Sequence, residues 1–152
     1  MKFTDSRLNH SLNVARKMKE IVQTNPELFD CKPEEMFYLG LVHDAAYEFV
    51  DDQAHHEHTG GEILRKLGFK YWKEVYYHGD PDANYISSEI MLLNYVDLIV
   101  GPNGEYMTID ERLQDIANRY GVLSIQYKKA KKLSEFILTT FLPQLRQDFS
   151  GV

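Results

Sequence analysis

Apolar residues recur along most of the chain at the three- and four-residue spacing of a helix, and no segment shows the sustained alternation of a strand. The first such segment covers about residues 6–23 and ends before Asn25-Pro26. Six more are predicted at about 33–49, 56–67, 71–78, 86–100, 109–120 and 124–142. We therefore predict an all-α fold, a bundle of about six to seven helices that forms one domain over residues 1–152.

Composition and charge narrow the class of protein. The chain has 152 residues and a formal net charge of -6, so it lacks the basic footprint that a nucleic-acid partner requires. Cys31 is the single cysteine, which excludes an intrachain disulfide and a cysteine-rich zinc site. The N-terminus is polar, and the most apolar stretch, 90–100, is too short to span a bilayer. We expect a cytoplasmic protein with no nucleic-acid partner and no membrane contact.

The most informative feature is the pair His43-Asp44, which lies inside the apolar run from Leu39 to Tyr47. A buried carboxylate is costly unless it is paired or bound to a metal. The pair offers one neutral nitrogen ligand and one hard oxygen ligand from the same helical turn. The question is then whether other helices supply further ligands.

Helical phase selects further candidates, because side chains at i, i+4, i+7 and i+11 share a face. Six residues lie on or beside the apolar face of their own predicted helix: His10, His43, Asp44, His56, His78 and Asp97. A single histidine on such a face is usually a satisfied, half-buried residue, and Asp97 could instead cap a helix or pair with an arginine. Six such side chains together in an apolar core need a partner that stabilises them, and metal ions are the usual one. His55 and His58 align with polar residues and are predicted at the surface.

These residues and their contexts resemble the HD-domain metal-dependent phosphohydrolases. The run from Arg7 to Ala15 looks like the family's Arg-x-x-His-Ser-x-x-Val-Ala, and the run from Leu39 to Ala46 looks like its namesake motif. The segment from His56 to Leu64 resembles His-x-x-x-Gly-Ala-Glu-x-Leu, with Gly61 in place of alanine. Tyr77-His78 and the segment 94–97 resemble the remaining two elements. The match covers about residues 5–121 and implies a helical bundle that holds metal ions between its central helices.

The two additional histidines resemble the dinuclear, six-ligand branch of that family. The resemblance implies that Asp44 bridges two divalent ions, that one ion is bound by His10, His43 and Asp97, and that the other is bound by His56 and His78. A water bridging the ions would then act as a hydroxide nucleophile on phosphorus. The nitrogen and oxygen ligand set favours iron or manganese; magnesium, cobalt, zinc and nickel are further options.

The predicted substrate is a small phosphorylated molecule, in particular a nucleotide or a dinucleotide polyphosphate. Dinucleoside-tetraphosphate hydrolases of this branch often carry lysine where this sequence has Tyr47. Arg7, one turn before His10, is either a catalytic phosphate clamp or a solvated arginine at a helix start. Asp80 and Asp82 could assist proton transfer, contact a ribose hydroxyl or form a turn.

Two other function classes stay open at this point. One is a non-catalytic HD module that binds metal or senses nucleotides, and the other is a di-iron oxygenase on the same scaffold. The complete set of predicted ligands favours catalysis over the sensor but does not separate a hydrolase from an oxygenase. A homodimer is compatible with the sequence on general grounds.

Overall fold

The structure is a computed structural model that describes residues 5–44 and 56–145, with only the backbone described at residues 56 and 57. Within these ranges it has seven α-helices and two short 3₁₀ turns, at Pro26–Leu28 and Leu142–Gln144. The helices are α1 Asp5–Thr24, α2 Pro33–Val42, α3 His56–Lys66, α4 Trp72–Tyr77, α5 Ser88–Ile99, α6 Ile109–Tyr120 and α7 Ile125–Thr140. The predicted all-α fold is confirmed. That residues 1–152 form one domain stays a prediction.

Helix α5 is the central element of the bundle. It contacts α1, α2, α4, α6 and α7, and most of its side chains are buried, including fully buried Leu93 and Val96. Ser87 begins the helix by accepting a hydrogen bond from the backbone N–H of Ile90 at 2.9 Å. Because Asp97 lies near the end of this buried helix, its carboxylate is held among helices that come from both halves of the chain.

A close approach of α1 and α2 brings two of the candidate histidines together. Gly40 makes it possible, because a Cβ at this position would lie 2.7 Å from Cα and 2.8 Å from the backbone nitrogen of Ala15. Both residues are buried in the helix interface. The two backbones can therefore pack at a distance that places His10 of α1 beside His43, just after α2.

A tight turn after α5 closes against the first helix. The backbone N–H of Met107 donates to the Ile99 carbonyl at 2.8 Å, and Val100 forms an isolated antiparallel bridge with Tyr106. Asn13 of α1 donates to the Gly104 carbonyl at 2.7 Å. This turn therefore presents its backbone carbonyls to α1 next to the candidate site.

Two predicted helix ends differ from the structure. Helix α2 ends at Val42, before His43 and Asp44, whereas the pattern predicted a helix through both to about residue 49; residues 45–49 lie outside the described ranges. Helix α4 ends at Tyr77, so His78 is its extended C-cap residue. In both places the histidine ring donates to a carbonyl three residues earlier, at the end of the helix. Periodicity cannot reveal this side-chain bond.

Candidate metal centre

Three buried histidines from separate elements meet at one point of the bundle. His10 lies in the second turn of α1, His43 directly follows α2, and His78 directly follows α4. Their exposed fractions are 7%, 1% and 6%. The ring centroids of His10 and His78 each lie 5.4 Å from that of His43. The three imidazoles therefore form one buried cluster around His43.

Each of the three rings is held by its Nδ1 atom. His10 donates to the Gly101 carbonyl at 2.9 Å, His43 to the Gly40 carbonyl at 2.6 Å and His78 to the Val75 carbonyl at 2.5 Å. A carbonyl can only accept, so the proton of the neutral ring sits on Nδ1. The Nε2 atom of each ring then points away from that carbonyl, which is the arrangement found around metal-bound histidines.

The Nε2 atoms of His10 and His43 face two carboxylates. They lie 2.8 and 3.3 Å from Oδ1 of Asp97, and 3.8 and 3.2 Å from Oδ2 of Asp44. A nitrogen lone pair and a carboxylate oxygen repel each other at these distances unless a cation lies between them. The cluster therefore needs a proton or a metal ion at its centre.

The two carboxylate oxygens of Asp44 face different histidines. Oδ2 faces His10 and His43, whereas Oδ1 lies 3.5 Å from Nε2 of His78. The side chain is only 15% exposed. One carboxylate thus stands between two groups of histidine nitrogens.

The charges of the cluster stabilise one another. Burial opposes the charged form of His43, but the carboxylates of Asp44 and Asp97 outweigh it and raise the pKa of His43 well above its ordinary value. Burial also opposes ionisation of Asp97, but His43 and His10 outweigh it and lower the pKa of Asp97 well below its usual range. A proton on His43 can thus fill the role of the central cation, and a metal ion must displace it to bind.

The donor set fits a divalent metal ion. His10, His43, Asp44 and Asp97 can each offer one ligand atom, and these atoms lie within 4.8 Å of one another. The atoms are imidazole nitrogens and carboxylate oxygens, without a thiolate, which suits iron, manganese, cobalt, magnesium and zinc. His78 stands outside this group of four but borders it through Asp44.

The structure brings together five of the six residues that helical phase selected. For the sixth, His56, the structure describes the start of α3 but no side chain, so its role stays a prediction. His58 is half-buried, and its ring stacks on Tyr76 at 4.5 Å with an interplanar angle of 19°. Arg7 is half-buried on α1, one turn before His10.

The loop after His78 contains the two aspartates considered above. Oδ1 of Asp80 accepts a hydrogen bond from the backbone N–H of Asp82 at 2.9 Å, which is the turn-forming role that loop aspartates commonly have. Asp82 forms an ion pair with Lys132 of α7. The second contact joins the loop to α7 at the protein surface.

Sequence reasoning missed two groups next to the cluster. The Gly101 carbonyl, which holds His10, carries no side-chain signal at all. Asn94 lies on α5 one turn before Asp97, and its Oδ1 accepts the backbone N–H of Gly79 at 2.8 Å. A buried amide inside an apolar helix, at that spacing from Asp97, is the signal that could have identified it.

Comparison with protein families agrees with this architecture. The model of the HD domain family matches residues 7–122, so the chain belongs to the HD domain family. This family consists largely of metal-dependent hydrolases. Comparisons with curated proteins and with solved structures give no match. Among the helices of the described residues, none is both long and apolar enough to cross a membrane.

Proposed function

We propose that this protein is a divalent-metal-dependent phosphohydrolase that cleaves a phosphoester or phosphoanhydride bond of a nucleotide or a dinucleotide polyphosphate. One observation carries the proposal: three histidines, each oriented by a hydrogen bond from Nδ1 to a backbone carbonyl, direct Nε2 at two partly buried carboxylates in a chain of the HD family. A divalent cation there supplies Lewis acidity, which makes a water nucleophilic near neutral pH and neutralises charge on phosphoryl oxygens.

The division of Asp44 between two sides supports a dinuclear arrangement. We assign Oδ2 of Asp44, together with His10, His43 and Asp97, to one cation. We assign Oδ1, together with His78, to a second cation, and we add His56 to this second set from its place in the family motif. The distance of 3.5 Å between His78 and Asp44 supports this assignment, because His78 approaches the oxygen that the first set leaves available.

The fold orients these ligand side chains before any cation binds. Each Nδ1–carbonyl bond fixes the orientation and the tautomer of its ring, so little reorganisation is required on binding. The three imidazoles are buried, whereas the carboxylates of Asp44 and Asp97 stay partly open to a substrate. The chain thereby meets the main requirement for catalysis by positioning and electrostatics.

Binding a phosphorylated substrate requires local positive charge, because the protein as a whole carries a formal net charge of -6. The proposed cations provide that charge at the centre. Arg7 lies one turn before His10 on α1, and we assign it as a clamp on a phosphoryl oxygen, for which the planar guanidinium is suited. Arg7→Lys keeps the charge but loses the paired contact, so it should raise KM more than it lowers kcat.

The test is a panel of nucleoside mono-, di- and triphosphates and dinucleoside polyphosphates, incubated with Mn²⁺ or Fe²⁺ and analysed by product chromatography. We expect metal-dependent cleavage of at least one compound, and a loss of about 100-fold or more in His43→Gln. His58→Ala serves as the matched control and should keep its activity. Nucleotide binding without cleavage under any metal would favour a sensor, and metal-dependent oxygen consumption without cleavage would favour an oxygenase.

A further inference from the structure

A cavity of about 90 Å³ lies between α5, α7 and the loop that joins α4 to α5. Its walls are mainly apolar and include Ile90, Met91, Phe136 and Ile137. The residues with polar side chains that line it are Asp80, Tyr85 and Asn94. Such a combination of apolar walls and few polar groups is typical of a small-molecule site.

The inner end of the cavity adjoins the candidate metal centre. Asn94 precedes Asp97 by three residues on α5, which corresponds to about 4.5 Å along the helix axis. The backbone N–H of Gly79, the residue after His78, donates to Oδ1 of Asn94 at 2.8 Å. The cavity therefore shares one helix and one loop with the residues that we assign to the two cations.

Asn94 offers an unused hydrogen-bond donor to this space. The residue is only 6% exposed, and its Oδ1 is occupied by Gly79. Its Nδ2 has no hydrogen-bond partner among residues 5–44 and 56–145. This donor is available to a ligand that carries an acceptor atom.

The outer wall of the cavity lies outside the segment that the HD domain model matches. Phe136 and Ile137 lie on α7, beyond residue 122, where the HD domain match ends. The ion pair between Lys132 and Asp82 ties α7 to the loop. The mouth is bordered by Ile86 and Phe136, which are 67% and 40% exposed. A substrate portion could thus enter beside an exposed aromatic ring.

We propose that this cavity binds the single-ring base of a pyrimidine nucleotide while its phosphoryl group lies at the metal centre. This inference rests on the proposed function. The cavity, at about 90 Å³, is smaller than an engineered cavity of about 150 Å³ that holds benzene, so we assign it one ring with an edge in the open mouth rather than a fused double ring. A ring carbonyl of the base accepts from Nδ2 of Asn94, and the flat faces of the ring contact the apolar walls.

The experiment measures the binding of cytidine and uridine, with ribose as the control ligand, by equilibrium dialysis against the full-length protein as purified. We expect both nucleosides to bind more tightly than ribose. Ala83→Phe fills the cavity from the loop and should weaken nucleoside binding by about tenfold or more. Asn84→Phe adds the same side chain at the neighbouring exposed position and should leave binding within about twofold of wild type.

Two further variants test the wall and the donor. Phe136→Ala should weaken nucleoside binding by about threefold or more, whereas Leu138→Ala, on the same helix and 47% exposed outside the cavity, should not. Asn94→Asp keeps the acceptor for Gly79 but removes the donor, and it should weaken binding by a similar factor. The ligands are uncharged, so repulsion of a phosphate does not contribute to this result.

The outcomes separate this inference from the proposed function. Nucleosides that bind no better than ribose, or that bind equally well to Ala83→Phe, would overturn the assignment of the cavity, whatever the protein hydrolyses. Nucleoside binding that is lost in Ala83→Phe supports the assignment even if no phosphate compound is cleaved, and in that case the proposed hydrolysis alone fails. Cleavage of ribose 5-phosphate that is equal in wild type and Ala83→Phe, with nucleoside binding lost, supports both.

Discussion

The Nε2 atom of His78 lies 3.5 Å from Oδ1 of Asp44, on the opposite oxygen from the one that His43 approaches at 3.2 Å. A carboxylate that served a single cation could direct both of these histidines at the same oxygen. The observed arrangement instead places His78 at Oδ1, and His10 and His43 at Oδ2. This relationship is the structural basis for placing Asp44 between two cations.

The assignment of the second cation predicts different roles for two histidines in α3. His56→Ala should lower the metal content of the protein, because His56 is the remaining member of the second ligand set. His58→Ala should leave the metal content unchanged, because its ring stacks on Tyr76. Elemental analysis of the two variants beside wild type checks both statements, and the reverse result would show that His58 is the ligand.

Helical phase predicted much of this cluster, because it reports which side chains face the core of their own helix. It correctly placed His10 on a buried face and Asp97 near the end of the most apolar helix. It could not predict that His43 and His78 follow the ends of α2 and α4, since their ring-to-carbonyl bonds leave no periodic signal. The contact between His10 and Gly101 spans 91 residues and depends on how helices dock, which spacing alone does not report.

The close packing of α1 on α2 predicts that Gly40→Ala lowers both the stability and the metal content of the protein. The new methyl group would lie 2.7 Å from Cα of Ala15, so the helices must separate, at a cost of about 1–3 kcal/mol in the free energy of unfolding. Because His10 and His43 would separate with them, metal content should also fall. Urea denaturation and elemental analysis measure the two effects. Tyr38→Ala, at an exposed position of α2, is the control, and equal stability of both variants would refute the close approach.

The packing around Gly61 explains why this position has glycine and not the alanine of the motif that the segment resembles. It also gives a second stability prediction. The motif that this segment resembles has alanine here, but a Cβ at this position would lie 2.5 Å from Cβ and 2.7 Å from Cα of Tyr76 on α4. Gly61→Ala should therefore destabilise this protein by about 1–3 kcal/mol, even though it restores the family residue. Thermal denaturation measures the change beside Lys66→Ala, an exposed substitution on α3. A stabilised Gly61→Ala variant would contradict the observed packing of α3 on α4.

The buried thiol of Cys31 should make the folded protein less stable at alkaline pH. Burial, together with the negative charge of Glu89, raises the pKa of its thiol from 9.0 to about 12. Between these two values the thiol ionises in the unfolded chain but not in the folded one, so its contribution to stability falls as the pH rises through this window. Denaturation of wild type and Cys31→Ala from pH 8 upward measures the difference.

The same burial should protect the thiol from alkylation. The thiolate is the reactive form, and Cys31 is only 8% exposed, so iodoacetamide should label the native protein at pH 8 much more slowly than the urea-unfolded chain. Rapid labelling of the native protein, or an unfolding free energy of Cys31→Ala with the same pH dependence as wild type, would contradict the assigned environment of Cys31.

The most direct test of the two-cation centre is the number of metal ions bound per chain. The protein is loaded anaerobically with Mn²⁺ or Fe²⁺, desalted and measured by elemental analysis against protein concentration. The proposed ligand sets predict two ions in wild type and one ion in His78→Ala. The variant keeps one ion because the ligand set of the first cation, at Oδ2 of Asp44, stays intact. At most one ion in wild type, or an unchanged metal content in His78→Ala, would contradict a centre in which Asp44 joins two cations.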